Sequence, residues 1–242
     1  MVDLHSHILY GIDDGSNDFE ESINIIKNLK EIGFNSIILT SHYLEGSEYM
    51  CDNKKKKSLY KEIKKCLEEN NIDINLYLGN EVYMNDHIHE LVMDKKIYTI
   101  NNSRYILIEL PLYNELNNLD DYLFELKLKG YIPIIAHPER YEYFQDNYKE
   151  LKSLKQSGVL FQSNYSSIAG KYGKECMKTM KYLLENELVD FLGTDVHSEN
   201  TSLFDNFDLI KNKIISYSSK EYFEKISNNN ALKVINDELI ED

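Results

Sequence analysis

The sequence predicts an α/β protein whose parallel strands form a small, distorted (β/α)7 TIM-like barrel. Short apolar, β-branched runs alternate with longer amphipathic stretches, and no Pro-rich or Gly-rich linker interrupts the chain. Strands buried on both faces and joined by helices form parallel sheets with right-handed crossovers. Seven such units in about 200 residues favour a barrel over an open flavodoxin-like sheet, which is the alternative.

Seven strands and seven helical stretches alternate in the prediction. The strands are expected near Val2–His5, Ser36–Ser41, Ile74–Leu78, Tyr105–Leu110, Ile132–Ala136, Val159–Gln162 and Val189–Gly193. The helices are expected at Asp18–Ile32, Lys54–Glu69, Asn117–Lys129, Asn147–Gln156, Lys174–Asn186, Leu203–Ser216 and from Lys220 onward. The first helix is the clearest, because an Asp cap and an acidic first turn precede a helical apolar pattern that ends at Gly33.

Composition limits the partners and the location of the protein. Lys and Arg number 27 against 41 Asp and Glu, a net charge of −14 that repels polyanions, so nucleic acid is not an expected partner. No signal-peptide pattern or long apolar run occurs, which predicts a cytoplasmic protein that does not span a membrane. Three widely spaced cysteines, Cys51, Cys66 and Cys176, indicate reduced thiols. One domain over residues 1–242 is the simplest organisation.

Histidines and carboxylates follow the predicted strands at the edge where α/β barrels place their chemistry. Strand six differs, because it ends in Gln162 and Asn164. An isolated histidine at such a place is usually a satisfied polar residue, but five of the seven histidines collect at this one edge. The candidate metal ligands are His5, His7, Asp14, His42, Glu81, Glu109, His137, Asp195 and His197.

Two pairs among the candidate ligands are spaced so that both members of a pair can bind the same ion. Side chains alternate along a strand, so His5 and His7 lie on one side of an extended chain and can reach one ion. Asp195 and His197 repeat that spacing. Asp14 lies in a turn after the first strand, where it either adds a carboxylate ligand or serves as a turn or cap residue.

Nine candidates exceed the four to six ligands that one ion needs, so two or three ions are expected. Nitrogen and oxygen donors without thiolate suit Mn²⁺, Fe²⁺ or Zn²⁺. Arg140 follows His137 closely and either grips a phosphate bound there or forms a surface salt bridge. His87 and His89 are expected to be surface residues at a helix start, and the lysines at 54–57 to form a solvated face.

With these residues identified, the chain resembles the PHP (polymerase and histidinol phosphatase) superfamily. Within it, the chain resembles the manganese-dependent protein-tyrosine phosphatases encoded with bacterial capsule and exopolysaccharide genes. The motifs that carry the resemblance are DLHSHIL with the following DDG, TSH, GNE, SRY leading to Glu109, AHPER and TDVH. The resemblance implies a distorted (β/α)7 barrel around three divalent metal ions, with the nine positions as ligands and Arg140 on phosphate. The family's second arginine has no counterpart in the stretch 198–203.

The resulting hypothesis is a metal-dependent phosphomonoesterase, a protein-tyrosine phosphatase whose partner is the tail of a bacterial tyrosine kinase of polysaccharide export. The predicted mechanism is in-line attack by a metal-activated hydroxide without a phosphoenzyme. Arg140 would hold phosphate, and a protonated His42 or His197 would assist the departing oxygen. The alternatives are a phosphatase for a small metabolite such as histidinol phosphate, and a non-catalytic polysaccharide-assembly partner that keeps metals for stability.

Overall fold

The structure, a computed structural model, describes residues 1–145 and 147–240. Every strand pairing in this part of the chain is parallel, as the alternation of strands and helices predicts. The strands are β1 (Val2–Ser6), β2 (Ser36–Leu39), β3 (His42–Tyr43), β4 (Asn75–Leu78), β5 (Glu81–Tyr83), β6 (Tyr105–Glu109), β7 (Ile132–Ala136), β8 (Leu160–Asn164) and β9 (Phe191–Gly193).

The second and third predicted strands are each interrupted. The second, predicted over Ser36–Ser41, is present but ends at Leu39, and an unpredicted strand begins at His42; likewise the third ends at Leu78 and an unpredicted strand begins at Glu81. At the gap, side chains add to the remaining backbone hydrogen bonds: the Thr40 hydroxyl accepts the N–H of Ser6 at 3.0 Å, and Asn80 donates to the carbonyl of Ser41 at 2.8 Å. The pairing order is therefore β1-β2-β4 in one sheet and β3-β5-β6-β7-β8-β9 in the other.

Hydrogen bonds between β1 and the segment after β9 close the strands into a barrel. The N–H of Asp195 donates to the carbonyl of His5 at 2.8 Å, and the N–H of His7 donates to the carbonyl of Val196 at 3.0 Å. With β2/β3 and β4/β5 each counted as one position, seven strand positions surround the barrel. The barrel prediction is confirmed, and the open-sheet alternative is wrong.

A bulge in β1 orients the first pair of histidines. Asp3 pairs with Ile37 and Ser6 pairs with Leu39, so the offset between β1 and β2 falls from 34 residues to 33. One extra residue reverses the side-chain alternation beyond it. Both Leu4 and the imidazoles of His5 and His7 can therefore face the barrel interior.

Ten α-helices surround the barrel in the described residues, and the predicted ones are confirmed to within a few residues. The short helix α5 was not predicted, and of α3 only the start near His87 and His89 was expected. The helices are α1 (Phe19–Glu31), α2 (Asn53–Glu69), α3 (Ile88–Met93), α4 (Leu119–Leu128), α5 (Glu142–Gln145), α6 (Tyr148–Gln156), α7 (Lys174–Glu185), α8 (Ser202–Ser216), α9 (Lys220–Glu224) and α10 (Asn230–Ile235).

The apolar core has two parts. The larger part packs the outward faces of the strands against the helices. The smaller part fills the barrel with alternate strand residues such as Leu4, Leu107 and Phe191, and Val234 of α10 packs against it. The apolar filling leaves the carboxyl edge of the barrel to polar residues. Among the described helices, none has the length and apolar character that a membrane span requires.

Candidate metal centre

Glu81, the first residue of β5, lies at the centre of a buried cluster. One of its oxygens, Oε2, lies 3.1 Å from His5 Nε2, 3.2 Å from His7 Nε2 and 3.1 Å from His42 Nδ1. Its other oxygen, Oε1, accepts a hydrogen bond from His137 Nε2 at 3.0 Å. A single carboxylate, 1% exposed, thus brings together four imidazoles from three strand ends.

Two further carboxylates flank this group. Asp195 Oδ1 lies 3.6 Å from His5 Nε2 and 3.5 Å from His7 Nε2. On the opposite side, Glu109 lies 3.6 Å from His42 Nδ1 through one oxygen and 3.9 Å from His137 Nε2 through the other. Both carboxylates therefore contact imidazoles that also contact Glu81.

Asp14 and His197 form the mouth of the cluster. Asp14 Oδ1 lies 3.5 Å from both His42 Nε2 and His197 Nε2, and its side chain is half exposed. The His197 ring stacks on the His7 ring with centroids 4.0 Å apart. All nine residues that the sequence singled out therefore lie in one cluster at the carboxyl edge of the barrel. Their ligation of metal stays a prediction.

The spacing of the donor atoms fits metal coordination. Among the described residues, three groups each bring ligand atoms within 4.8 Å of one another: His5, His7 and Glu81; His42, Glu81 and Glu109; and His7, Asp14, His42 and His197. Ligands about 2.1 Å from one ion lie about 3.0–3.4 Å apart. The Nε2 atoms of His5 and His7 are 3.0 Å apart, and Glu81 Oε2 is buried with no hydrogen-bond donor in the described part of the chain. A cation would satisfy all three atoms.

The electrostatics of the cluster also favour a cation. Burial and the charge of Glu81 raise the pKa of Glu109 to about 8, which reflects the repulsion between crowded carboxylates. Burial and the neighbouring Arg140 guanidinium lower the pKa of His137 to about 4, so its imidazole is neutral near pH 7. Neutral imidazole is the form that binds metals.

Two site residues have backbone conformations that residues other than glycine rarely adopt. His137 and Asp195 have φ values of 34° and 50°, in the left-handed region. Gly193 permits the close packing beside them, because a Cβ there would lie 2.6 Å from the Cβ of His5. Gly15 is required in the same way, because a Cβ there would lie 2.1 Å from the carbonyl oxygen of His7. Local strain and close packing therefore concentrate at this edge.

Residues that the sequence did not assign to the site hold its imidazoles in place. Asp13 Oδ2 accepts from His7 Nδ1 at 3.0 Å, and Gln162 Oε1 accepts from His5 Nδ1 at 2.7 Å. These bonds leave the Nε2 atoms free to face Glu81. Asn164 donates to Asp195 Oδ2 at 2.7 Å. The strand β8, which is the sixth predicted strand and lacks a candidate ligand, therefore orients ligands of other strands.

Arg140 reaches the cluster from a 3₁₀ turn after β7. Its Nη1 lies 3.1 Å from Asp195 Oδ2, and its guanidinium carbon lies 4.5 Å above the ring of Tyr172. The side chain is 22% exposed while that of Asp195 is 3% exposed. The ion pair therefore lies at the candidate site, and a role of Arg140 in phosphate binding stays a prediction.

Residues outside the cluster behave as predicted with one exception. His87 pairs with Asp86 and Glu45 at the start of α3, away from the nine residues. The three cysteines are free. The lysine run is not simply a solvated face, because Lys56 is fully buried and its ammonium has no hydrogen-bond partner among the described residues. Helical geometry turns this one lysine toward the barrel while its neighbours face solvent.

The barrel and its edge of imidazoles and carboxylates define a protein of the metal-dependent α/β-barrel hydrolase class. A family model described as capsular polysaccharide synthesis, CpsB/CapC, matches residues 1–236. The chain belongs to this family, which confirms the resemblance found in the sequence.

Individual relatives agree with that assignment. CapC of Staphylococcus aureus is 36% identical over 227 residues, which cover 93% of this chain and 87% of that protein. The tyrosine-protein phosphatase CpsB of Streptococcus pneumoniae is 29% identical over 248 residues, 99% of this chain and 100% of that protein. A crystal structure from work on YwqE of Bacillus subtilis and CpsB of S. pneumoniae, described as metal-dependent tyrosine phosphatases, matches with a TM-score of 0.91 and 27% identity. That match covers 100% of this chain and 96% of the other.

Proposed function

We propose that the chain is a metal-dependent protein-tyrosine phosphatase. The observation that carries the proposal is the convergence of four imidazoles on Glu81, with a guanidinium, Arg140, at the same edge. Two relatives named tyrosine-protein phosphatase, which match 84% and 99% of the chain, support it. The single-domain organisation over residues 1–242 stays a prediction.

The proposed cofactor is three divalent ions, Mn²⁺ in the first place, with Fe²⁺ or Zn²⁺ as the alternatives. The three groups of donor atoms support three positions, with Glu81, His7 and His42 each shared between two groups. Bound ions would supply Lewis acidity, which activates water and neutralises phosphate charge. The ligands are proposed to be His5, His7, Asp14, His42, Glu81, Glu109, His137, Asp195 and His197.

Residues at the mouth would complete the reaction. Arg140 presents parallel N–H donors that match two phosphoryl oxygens, and the Tyr172 ring supports its guanidinium. His42 and His197, with side chains 15% and 32% exposed, are the proposed proton donors to a departing phenolate oxygen; the donor would have to be protonated at a nitrogen that binds no ion. The cysteines take no part, because none lies in the cluster and burial raises the pKa of the Cys176 thiol to about 12.

The proposed substrate is a phosphotyrosine protein of capsule or exopolysaccharide synthesis, the tail of a bacterial tyrosine kinase in the cytoplasm. The support is the family of the chain and the names of its relatives. A metabolite phosphatase would have the same metal chemistry with another pocket, and a non-catalytic assembly partner would retain the cluster without turnover.

One experiment distinguishes these functions. Protein purified without chelator is analysed for metal and assayed on p-nitrophenyl phosphate, phosphotyrosine peptides, phosphoserine peptides and histidinol phosphate. We expect about three metal equivalents and the highest kcat/KM on phosphotyrosine. Preference for histidinol phosphate would support the metabolite alternative, and metal binding without any turnover would support the assembly partner.

A further inference from the structure

A groove with a basic rim lies beside the candidate metal centre. Its volume is about 450 Å³. Tyr43, Met50 and Cys51 form an apolar wall, and Met50 is 50% exposed. Three lysines form the rim: Lys54 at the start of α2, and Lys95 and Lys96 after α3.

This groove adjoins the site. Tyr43 directly follows His42, and a second cavity of about 360 Å³ shares Met50 and Cys51 with the groove. That cavity is also lined by Asp13, Glu48, Tyr49, Asp52 and Lys55, so the three lysines of the groove lie beyond an acidic stretch. The Tyr49 ring stacks on the His42 ring with centroids 5.7 Å apart. A chain leaving the metal centre past Tyr49 would therefore enter the groove.

The charge of the rim is opposite to that of the protein. The chain has a net charge of −14, yet three lysines meet at this rim. In the part of the chain that the structure describes, no carboxylate pairs with Lys54 or Lys95, and Lys96 makes only a long ion pair of 3.9 Å with Asp94. Asp52 also lines the groove, and its carboxylate accepts the backbone N–H groups of Lys54 and Lys55 at 2.7 and 2.9 Å, so three lysines face one carboxylate in the groove lining.

We infer that this groove binds an acidic segment of the phosphoprotein substrate next to the phosphotyrosine. The inference rests on the proposed function and adds the sequence preference of the substrate. Carboxylates of the segment would face the three lysines, and an apolar side chain would pack on Met50 and Tyr43.

Matched phosphotyrosine peptides test the inference. One series has Asp and Glu at successive positions on either side of the phosphotyrosine, and its control has Asn and Gln at the same positions. We expect kcat/KM to be about tenfold higher for the acidic peptide in the best register, and the difference to shrink at high salt. Equal kcat/KM for both series at low salt would overturn the inference while leaving phosphotyrosine turnover, and thus the proposed function, intact.

Charge reversal locates the effect. The triple variant Lys54→Glu, Lys95→Glu and Lys96→Glu should lose the preference for acidic peptides. It should keep the wild-type kcat/KM on p-nitrophenyl phosphate. The milder variant with Gln at all three positions should lose most of the preference for acidic peptides. All three side chains are exposed, so both variants should fold, which circular dichroism checks.

The matched control changes three lysines farther along α2, with the same change in net charge. Its substitutions are Lys61→Glu, Lys64→Glu and Lys65→Glu. We expect this control to keep the preference. Loss of the preference in both triple variants would show that overall charge attracts acidic peptides and would overturn the groove assignment. Absence of turnover on every phosphotyrosine substrate would overturn the proposed function and the inference with it.

Discussion

One carboxylate oxygen of Asp13 accepts the backbone N–H of His42 at a distance of 2.9 Å. The same oxygen accepts from His7 Nδ1 at 3.0 Å, and the other oxygen accepts the N–H of Gly15. Asp13 thereby connects the turn after β1 to the first residue of β3. Its pKa is about 2, because the hydrogen bond and charge of His7 outweigh the effect of burial. A fixed negative charge thus orients two proposed ligands.

Replacing Asp13 by Asn should weaken metal binding without removing a ligand. The amide cannot accept from His7 and His42 with the charge of a carboxylate, and loss of such an orienting partner typically costs about 10–100-fold in metal affinity. We expect turnover at limiting Mn²⁺ to fall and to recover at excess Mn²⁺. The exposed control Asp73→Asn should titrate like wild type. Superimposable titrations of Asp13→Asn and wild type would contradict the orienting role.

Replacing Glu81 by Gln should have a larger effect than any change at the mouth. Glu81 contacts four imidazoles, and Gln keeps its shape while removing the charge. We expect loss of at least one metal equivalent by elemental analysis and loss of turnover that excess Mn²⁺ does not restore. Full metal content with normal kcat would exclude Glu81 as a shared ligand.

Most of the fold could be predicted because apolar β-branched runs mark buried parallel strands. The interruptions of the strands after Leu39 and Leu78 could not be predicted, because they depend on contacts between side chains that are distant in sequence. Thr40 bonds to Ser6, and Asn80 bonds to Ser41, only after the barrel has brought them together. The short helix α3, Ile88–Met93, lacks the two or three turns that make an apolar period visible.

The proposed ligands were more predictable from the sequence than the residues that orient them. The nine proposed ligands share one barrel edge, and that topological rule gathers them without coordinates. Which ring nitrogen faces the centre depends on a partner such as Asp13 or Gln162, and no spacing in the sequence pairs Gln162 with His5. The burial of Lys56 could not be predicted either, because a run of lysines normally indicates a solvent-exposed face.

Replacing both His87 and His89 by Ala should leave metal content and turnover nearly unchanged. His87 contacts Asp86 and Glu45 at the start of α3, and neither histidine belongs to the three donor groups. The matched double variant, His5→Ala with His7→Ala, should lose metal and turnover together. Elemental analysis and p-nitrophenyl phosphate assays compare the two; loss of a metal equivalent from the first variant would contradict the assignment.

Replacing Lys56 by Met should stabilise the protein at neutral pH. Burial lowers the pKa of Lys56 from 10.5 to about 8, so the folded state disfavours the ammonium. This destabilisation is complete below pH 8 and is relieved as the pH rises toward 10.5, because the amine then becomes neutral in both states.

The stability difference between Lys56→Met and wild type should therefore be on the order of 2–3 kcal/mol at pH 7 and should shrink near pH 10. Urea unfolding at both pH values measures it. The exposed control Lys57→Met should show almost no difference at either pH. A difference that does not change with pH would mean that packing, and not charge, explains the effect.

Arg140 provides the sharpest test of phosphate recognition. Its guanidinium contacts Asp195 at 3.1 Å, but Asp195 Oδ2 also accepts from Asn164 at 2.7 Å. Arg140→Ala should therefore leave Asp195 in place and bound metal unchanged.

With the metal retained, the loss of two parallel donors should cost Arg140→Ala about 2–4 kcal/mol of transition-state stabilisation, comparable to one preorganised oxyanion donor. No arginine occurs at 198–203, so the KM for aryl phosphates should rise as kcat falls. Arg140→Lys should recover only part of kcat/KM, because an ammonium restores the charge but not the paired geometry. Steady-state kinetics at matched metal occupancy measure all three proteins. Wild-type kcat/KM in Arg140→Ala would mean that the guanidinium serves only its ion pair with Asp195.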